Sequence, residues 1–313
     1  MIKISAPGKI HLLGEHSVVY SKPAILAAID LRVYVTIQAN TDHTSEVGAR
    51  VKKVVDPIIK KYLKLKTLPS YQIQIESQLP IGSGLGSSAA ISASYIAALL
   101  SFLKVKWNLN LINELTFEAE KVFHGNPSGG DNSTVVYGGF IWFRKETSDL
   151  KIIQPLNIIF PRSRNFVLIN TGKPKETTAE MVNMVSAKCK VQSAKFKKIF
   201  DDQEGLVKQL LPVLKNRDEK NLINIIRQGE RNLESIGVVS SSTKSIIREI
   251  EKLGGAAKIS GAGGAKGGSG MLVCYHKNPK KILNYAKQNN LEAFIIKLGE
   301  EGLRKEYKIP SIV

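Results

Sequence analysis

Alternating and continuous apolar runs in the first half of the chain predict strands at Ile2–Ser5, Leu31–Gln38, Tyr71–Ser77 and Gly139–Phe143. Between them, helical spacing predicts helices over Val47–Leu63, Ser87–Leu103 and Leu111–Phe123, the last with Asn110 as N-cap and Gly125 as stop signal. The second half opens on a strand at Phe166–Asn170 and turns mostly helical from Glu176 to Leu253. It closes with a strand at Ala257–Ser260, a glycine-rich stretch, a strand at Gly270–Tyr275, a helix at Lys280–Asn289 and a strand at Glu292–Lys297. That order reads as an α+β chain. Pro161 and the polar Arg162–Asn165 punctuate the pattern, so a boundary falls between Ile158 and Arg164, giving domains 1–160 and 161–313.

Length agrees with this division, because 313 residues exceed the size at which one core usually stops growing. The 43% hydrophobic and 23% charged composition is that of a globular protein. No apolar run approaches the roughly 20 residues of a membrane span, and MIKISAPGKIHLLGEH lacks a signal core, which places the expected location in the cytoplasm. Two cysteines, Cys189 and Cys274, are too few for a disulfide framework, and no Cys/His cluster has zinc-ligand spacing. The net charge of +18 fits nucleic acid, an anionic small substrate or simply a lysine-rich surface. The lysines are scattered, and the densest stretches (Ala187–Lys198, His276–Lys281) carry no interleaved aromatic platform, which disfavours specific nucleic-acid binding. The sequence permits a homodimer without requiring one.

Three segments carry candidate chemistry. PIGSGLGSSAA, from Pro80 to Ala90, runs straight into an apolar helix. Gly82, Gly84 and Gly86 permit positive φ and remove Cβ atoms, so successive N–H groups can converge on an anion at the positive end of that helix. Ser87 and Ser88 then stand in the first turn, where a hydroxyl caps the helix or helps hold a metal on a phosphate. The bland alternative is a glycine turn before a packed helix. The lysine-bearing pattern Gly-x4-Gly-Lys-Ser/Thr is absent, so any phosphate-binding lysine comes from elsewhere. Near the N-terminus, APGKIHLLGEHSVVY concentrates Lys9, Glu15 and His16 in an otherwise apolar stretch whose glycines allow turns; a surface hairpin is the alternative. In EAEKVFHGNPSGGDNSTVVYGG, Glu120 lies near a helix end and Asp131 in a loop eleven residues later. One carboxylate suits Mg²⁺ and the other a proton, although Asp131 could instead cap the segment that follows. A third run, KISGAGGAKGGSG from Lys258 to Gly270, is either a ligand-facing loop or a loose hairpin connection.

In this order, the three glycine-rich motifs resemble those of the GHMP kinases, a family of small-molecule kinases acting on galactose, homoserine, mevalonate and phosphomevalonate. GEHSVVY and FHGNPSGGDNSTVVYGG are most similar to the mevalonate-phosphorylating members. The resemblance implies a two-domain GHMP kinase fold, with a ribosomal protein S5 domain 2-like N-terminal domain and a ferredoxin-like C-terminal domain. It implies ATP and Mg²⁺ as cofactors and mevalonate as the small-molecule substrate, meeting in the cleft. Carried over by position, Asp131 is the expected catalytic base and Lys9 the lysine beside it; Ser88 and Glu120 are the expected Mg²⁺ ligands. Pro80, Ile81, Gly82, Ser83, Gly84, Leu85, Gly86, Ser87, Ser88, Ala89 and Ala90 are the expected nucleotide-binding residues. Glu15, His16, Thr177, Gly261, Ala262 and Gly263 fall where the family meets its substrate.

Two departures bear on specificity. Galactokinases carry an acidic residue two positions after the histidine of Gly-Glu-His; here it is Val18, which disfavours galactose. The third motif, usually nearer GAGGGGCG, is longer here and contains Lys266 without cysteine, which keeps phosphomevalonate as an alternative acceptor.

Overall fold

The computed structural model describes residues 1–39, 46–80, 84–125, 127–147, 150–158 and 165–306. Ile81, Gly82, Ser83 and most of the expected domain boundary lie outside the described residues.

The first sheet is built on two long antiparallel strands, β1 (Ile2–Leu13) and β2 (Ala24–Ala39). The far half of β2 pairs with β3 (Tyr71–Ser77) and its near half with β4 (Phe140–Lys145), which in turn pairs with β5 (Lys151–Leu156). A short returning strand, β10 (Arg304–Lys305), joins the free edge of β1 at Ile4 and Ser5. Helices α1 (Glu46–Leu63), α2 (Ser87–Phe102), α3 (Leu109–His124) and α4 (Gly130–Tyr137) complete this half. The apolar, small-residue sequence of α2 is buried around nearly its whole circumference, as a central helix requires, and it packs on both β1 and β2.

The second sheet has the order β7-β8-β6-β9, all neighbours antiparallel, from β6 (Phe166–Asn170), β7 (Ala256–Ile259), β8 (Met271–Tyr275) and β9 (Ala293–Ile296). Helices α5 (Thr178–Val191), α6 (Ser193–Asn216), α7 (Glu219–Ile236) and α8 (Ser241–Lys252) connect β6 to β7, and α9 (Lys280–Gln288) connects β8 to β9. This is the ferredoxin-like arrangement, elaborated by extra helices. No helix among the described residues is long and apolar enough to cross a membrane.

Several expectations are corrected. The first strand does not end at Ser5. It continues through Pro7 because a register shift between Pro7 and Gly8 absorbs the missing N–H donor. The cap of α3 is Asn108, whose side chain accepts from the Leu111 N–H, while Asn110 accepts from the Tyr137 hydroxyl at 2.9 Å. Asp131 stands in the first turn of α4 rather than in a loop, the chain entering that helix through Gly129 at φ 94°. Strands β5 and β10 have no counterpart in the sequence-based reading.

Candidate active site

Strand β1 carries the centre of the site on a segment bounded by two irregularities in its pairing with β2, at Pro7/Gly8 and at His11/Leu13. Such bulges re-aim side chains locally. The edge of β1 turned away from β2 is tied to two of the glycine-rich segments. The Lys9 N–H donates to the Leu85 carbonyl at 2.9 Å, and the His11 N–H donates to Ser260 Oγ at 3.0 Å.

The second segment approaches so closely that it needs glycine. A Cβ on Gly86, at φ 75°, would lie 2.8 Å from Lys9 Cγ, and one on Gly8 would lie 2.4 Å from Leu79 Cδ2. Gly86 is also the N-cap of α2 and makes no side-chain cap, so the first amides of α2 are offered outward beside Ser87 and Ser88. Ala89 and Ala90 are buried as part of the helix core. Pro80, Gly84 and Leu85 lead into this turn, and Gly84 brings the third segment near: its Cβ position is 4.0 Å from the Ser260 carbonyl.

Against this wall, Lys9 Nζ lies 3.1 Å from Asp131 Oδ1; the lysine side chain is 4% exposed and the aspartate 36%. Burial works against ionisation of Asp131, but the Lys9 charge and the His11 ring outweigh it and hold the carboxyl below the usual carboxylate range. His11 Nε2 stands 3.9 Å from the same Oδ1. Asp131 is therefore kept ionised and half-exposed, with its charge balanced by Lys9.

Ser88 Oγ donates to Glu120 Oε2 at 3.2 Å and lies 3.0 Å from His124 Nε2. Glu120 is buried, and burial together with the Asp131 charge pushes its carboxyl up to about 7. Its Oε1 is buried with no hydrogen-bond partner. An acceptor oxygen left bare, a hydroxyl beside it and an unfavourable negative charge are what a divalent cation would relieve. A set of two protein ligands suits Mg²⁺, which keeps most of its shell for water and phosphate oxygens. Among the described residues there is no larger His/Cys/Asp/Glu cluster able to hold a metal.

Glu15 and His16 both face the second half of the molecule. Glu15 is buried against Lys258 of β7, with its Oε1 on Lys258 Nζ and its Oε2 unpartnered. Lys258 also donates to the Ile259 carbonyl at 2.6 Å and to the His11 carbonyl at 3.3 Å. His16, at φ 58°, places Nε2 2.9 Å from the Ala262 carbonyl, and burial lowers its pKa, so the neutral ring donates there. Between Gly261 (φ 99°) and Gly263 (φ 68°), Ala262 is thus tied to the first segment. Gly263 also presses on the Val238 carbonyl, 2.2 Å from where a Cβ would be. The rest of the longer third segment is fastened rather than loose: Ser269 Oγ donates to the Gly264 carbonyl at 2.9 Å, and Thr171 Oγ1 to the Gly270 carbonyl at 2.7 Å.

Thr177 stands apart from this cluster of contacts. It is exposed, and its hydroxyl is engaged in a reciprocal cap of α5 with Glu180. Conversely, sequence reasoning passed over His11, His124 and the partnership of Lys258. The signals were available: His11 sits two residues from Lys9 on a strand, and His124 four residues from Glu120 on a helix, spacings that put each pair on one face.

Two family models match the chain in order, the GHMP kinases N terminal domain over residues 49–139 and the GHMP kinases C terminal over residues 210–292. Mevalonate kinase of Archaeoglobus fulgidus is 32% identical over 309 residues, covering 96% of this chain and 99% of that protein. Mevalonate kinase of Arabidopsis thaliana is 29% identical over 382 residues, covering 96% and 98%. L. major mevalonate kinase, solved in complex with R-mevalonate, superposes with a TM-score of 0.81 at 23% identity over 96% of each chain, a likeness of fold. With both halves matched in register and a relative above 30% identity along nearly its whole length, the chain belongs to the GHMP kinase family.

Proposed function

We propose that this protein transfers the γ-phosphoryl group of ATP to the primary hydroxyl of mevalonate, giving 5-phosphomevalonate and ADP, and that it does so in the cytoplasm. The observation that carries the reading is the Lys9–Asp131 pair at 3.1 Å, held beside the Gly84–Ser88 turn and the start of α2. The near-full-length similarity to mevalonate kinases supports mevalonate as acceptor. The working division is a nucleotide-binding domain at 1–160 and a second domain at 161–313, from which β10 crosses back.

Phosphoryl transfer demands mainly positioning and charge neutralisation. In this reading, the Pro80–Ala90 turn and the first amides of α2 hold the triphosphate, and Asp131 takes the proton of the attacking hydroxyl. Lys9 keeps Asp131 ionised and lowers the charge that builds on the attacking oxygen. Ser88 and Glu120 would hold Mg²⁺, which would supply charge neutralisation for the phosphate oxygens. His16 and the Gly261–Gly263 turn shape the acceptor side with the free oxygen of Glu15, and Thr177, spent on the cap of α5, is given no part in it.

The direct test is ADP formation with mevalonate, phosphomevalonate, homoserine and galactose in parallel, with and without Mg²⁺. Mevalonate should be turned over fastest, and only with the metal. Faster turnover of phosphomevalonate would transfer the assignment to that acceptor and give Lys266 a role. Glu120→Gln should raise the Mg²⁺ concentration needed for half-maximal rate by about tenfold or more. An unchanged metal titration would return Glu120 to a purely structural role.

A further inference from the structure

We propose that His11 is the positioning residue of Asp131, holding the carboxylate in the orientation that receives the acceptor proton. This rests on the assignment of Asp131 as base. Lys9 and His11 are alternate residues of β1, so both side chains leave the same face of the strand. The two pairing irregularities enclose this short stretch, and its main chain is fixed on both sides of His11: the N–H on Ser260 Oγ at 3.0 Å, the carbonyl under Lys258 Nζ at 3.3 Å. The ring is therefore placed by the third glycine-rich segment as much as by its own strand.

The ring's own hydrogen bonding points the same way. Nδ1 is buried without a partner, so a proton there would be left unsatisfied, whereas Nε2 is the ring nitrogen turned to Asp131. That nitrogen faces Asp131 Oδ1 at 3.9 Å, a separation of the kind that tightens when a catalytic site closes on its substrates. The charged and titratable groups around the ring are Lys9 on β1, Asp131 on α4, His16 beyond β1 and Lys258 on β7.

Lys9 alone would leave the carboxylate loosely set, because the last torsion of an aspartate is broad and roughly two-fold. A second donor drawn from 3.9 Å to hydrogen-bond distance of Oδ1 would remove that freedom. The Lys9 and His11 contacts both fall on Oδ1, which leaves Oδ2 for the acceptor hydroxyl. When the new O–P bond forms and the bond from the γ-phosphorus to the β-bridging oxygen breaks, the hydroxyl proton passes to Oδ2 and ADP leaves. His11 touches neither substrate in this scheme.

The test compares His11→Leu, which removes the donor, with His11→Gln, whose amide N–H reaches about as far as Nε2. His11→Leu should lower kcat by about 10- to 100-fold, with KM for nucleotide and acceptor changed by no more than about twofold. His11→Gln should retain most of the rate, and in an Asp131→Asn background His11→Leu should cost nothing further. Wild-type kcat in His11→Leu overturns the proposal. So does an equal loss in both variants with a lowered melting midpoint, or a full further loss on top of Asp131→Asn. If His11→Leu does not fold, His11→Asn, whose shorter amide stops short of Asp131, takes its place with the same expectations. The rates are taken with whichever of the four acceptors the wild type turns over, so an error in the choice of mevalonate shows in the wild type alone.

Discussion

Asp131→Asn is expected to cut turnover by about 10²–10⁴-fold while leaving nucleotide binding nearly intact, the usual worth of a positioned base. The substitution keeps the shape of the side chain and its place in the first turn of α4, but removes the charge that Lys9 faces at 3.1 Å. In the proposed function the nucleotide is held by other parts, the Gly84–Ser88 turn and the start of α2, so its affinity is the internal control. Titration with a non-hydrolysable ATP analogue beside steady-state kinetics separates the two. Turnover within a fewfold of wild type would take Asp131 out of the base role.

Lys258→Met is expected to be strongly destabilising. Glu15 and Lys258 form an ion pair whose side chains are 1% and 0% exposed, joining the end of β1 to β7 across the two halves. Removing the ammonium leaves a buried carboxylate with neither oxygen matched by a cation. Such breakage costs about 3–5 kcal/mol. For a chain of this size that is a fall in melting midpoint on the order of 10 °C. Glu230 on α7 adds to the loss: burial pushes its carboxyl up to about 8, and the Lys258 charge, after the Ile259 N–H, is a force favouring its ionised form. Replacing both partners, Glu15→Gln with Lys258→Met, should recover a large part of the stability, because no bare charge remains. Thermal unfolding of the single and double variants decides it. A wild-type midpoint in Lys258→Met would mean that the pair contributes nothing to joining the halves.

What the sequence made legible follows how local each determinant is. Tyr71–Ser77 and Phe166–Asn170 were readable to the residue, since their apolar patterning is bounded by turn formers. Helix α2 was readable from its unbroken small and apolar run. Strand β5, Lys151–Leu156, escaped because its residues are half-buried or exposed and Pro155 is tolerated only at such an edge. Strand β10 escaped because two residues pair with β1 some 300 positions away, which no local pattern announces. In the site, the glycines and the carboxylates at 120 and 131 stood out as residue types in a pattern. His11 did not, because the first strand was read as ending at Ser5, and without a strand there was no reason to place it beside Lys9. Lys258 read as a residue of the strand Ala257–Ser260 at the head of a glycine-rich run; only the fold shows it buried beneath Glu15.

The central claim is that Lys9 and Asp131 work as one unit on the acceptor hydroxyl. The measurement that tests it most directly is a double-mutant cycle on kcat with Lys9→Met, Asp131→Asn and both together. Groups acting as a unit are grossly non-additive, so the double variant should be about as slow as the slower single variant. If the two losses multiply in full, the residues act independently and the account is contradicted.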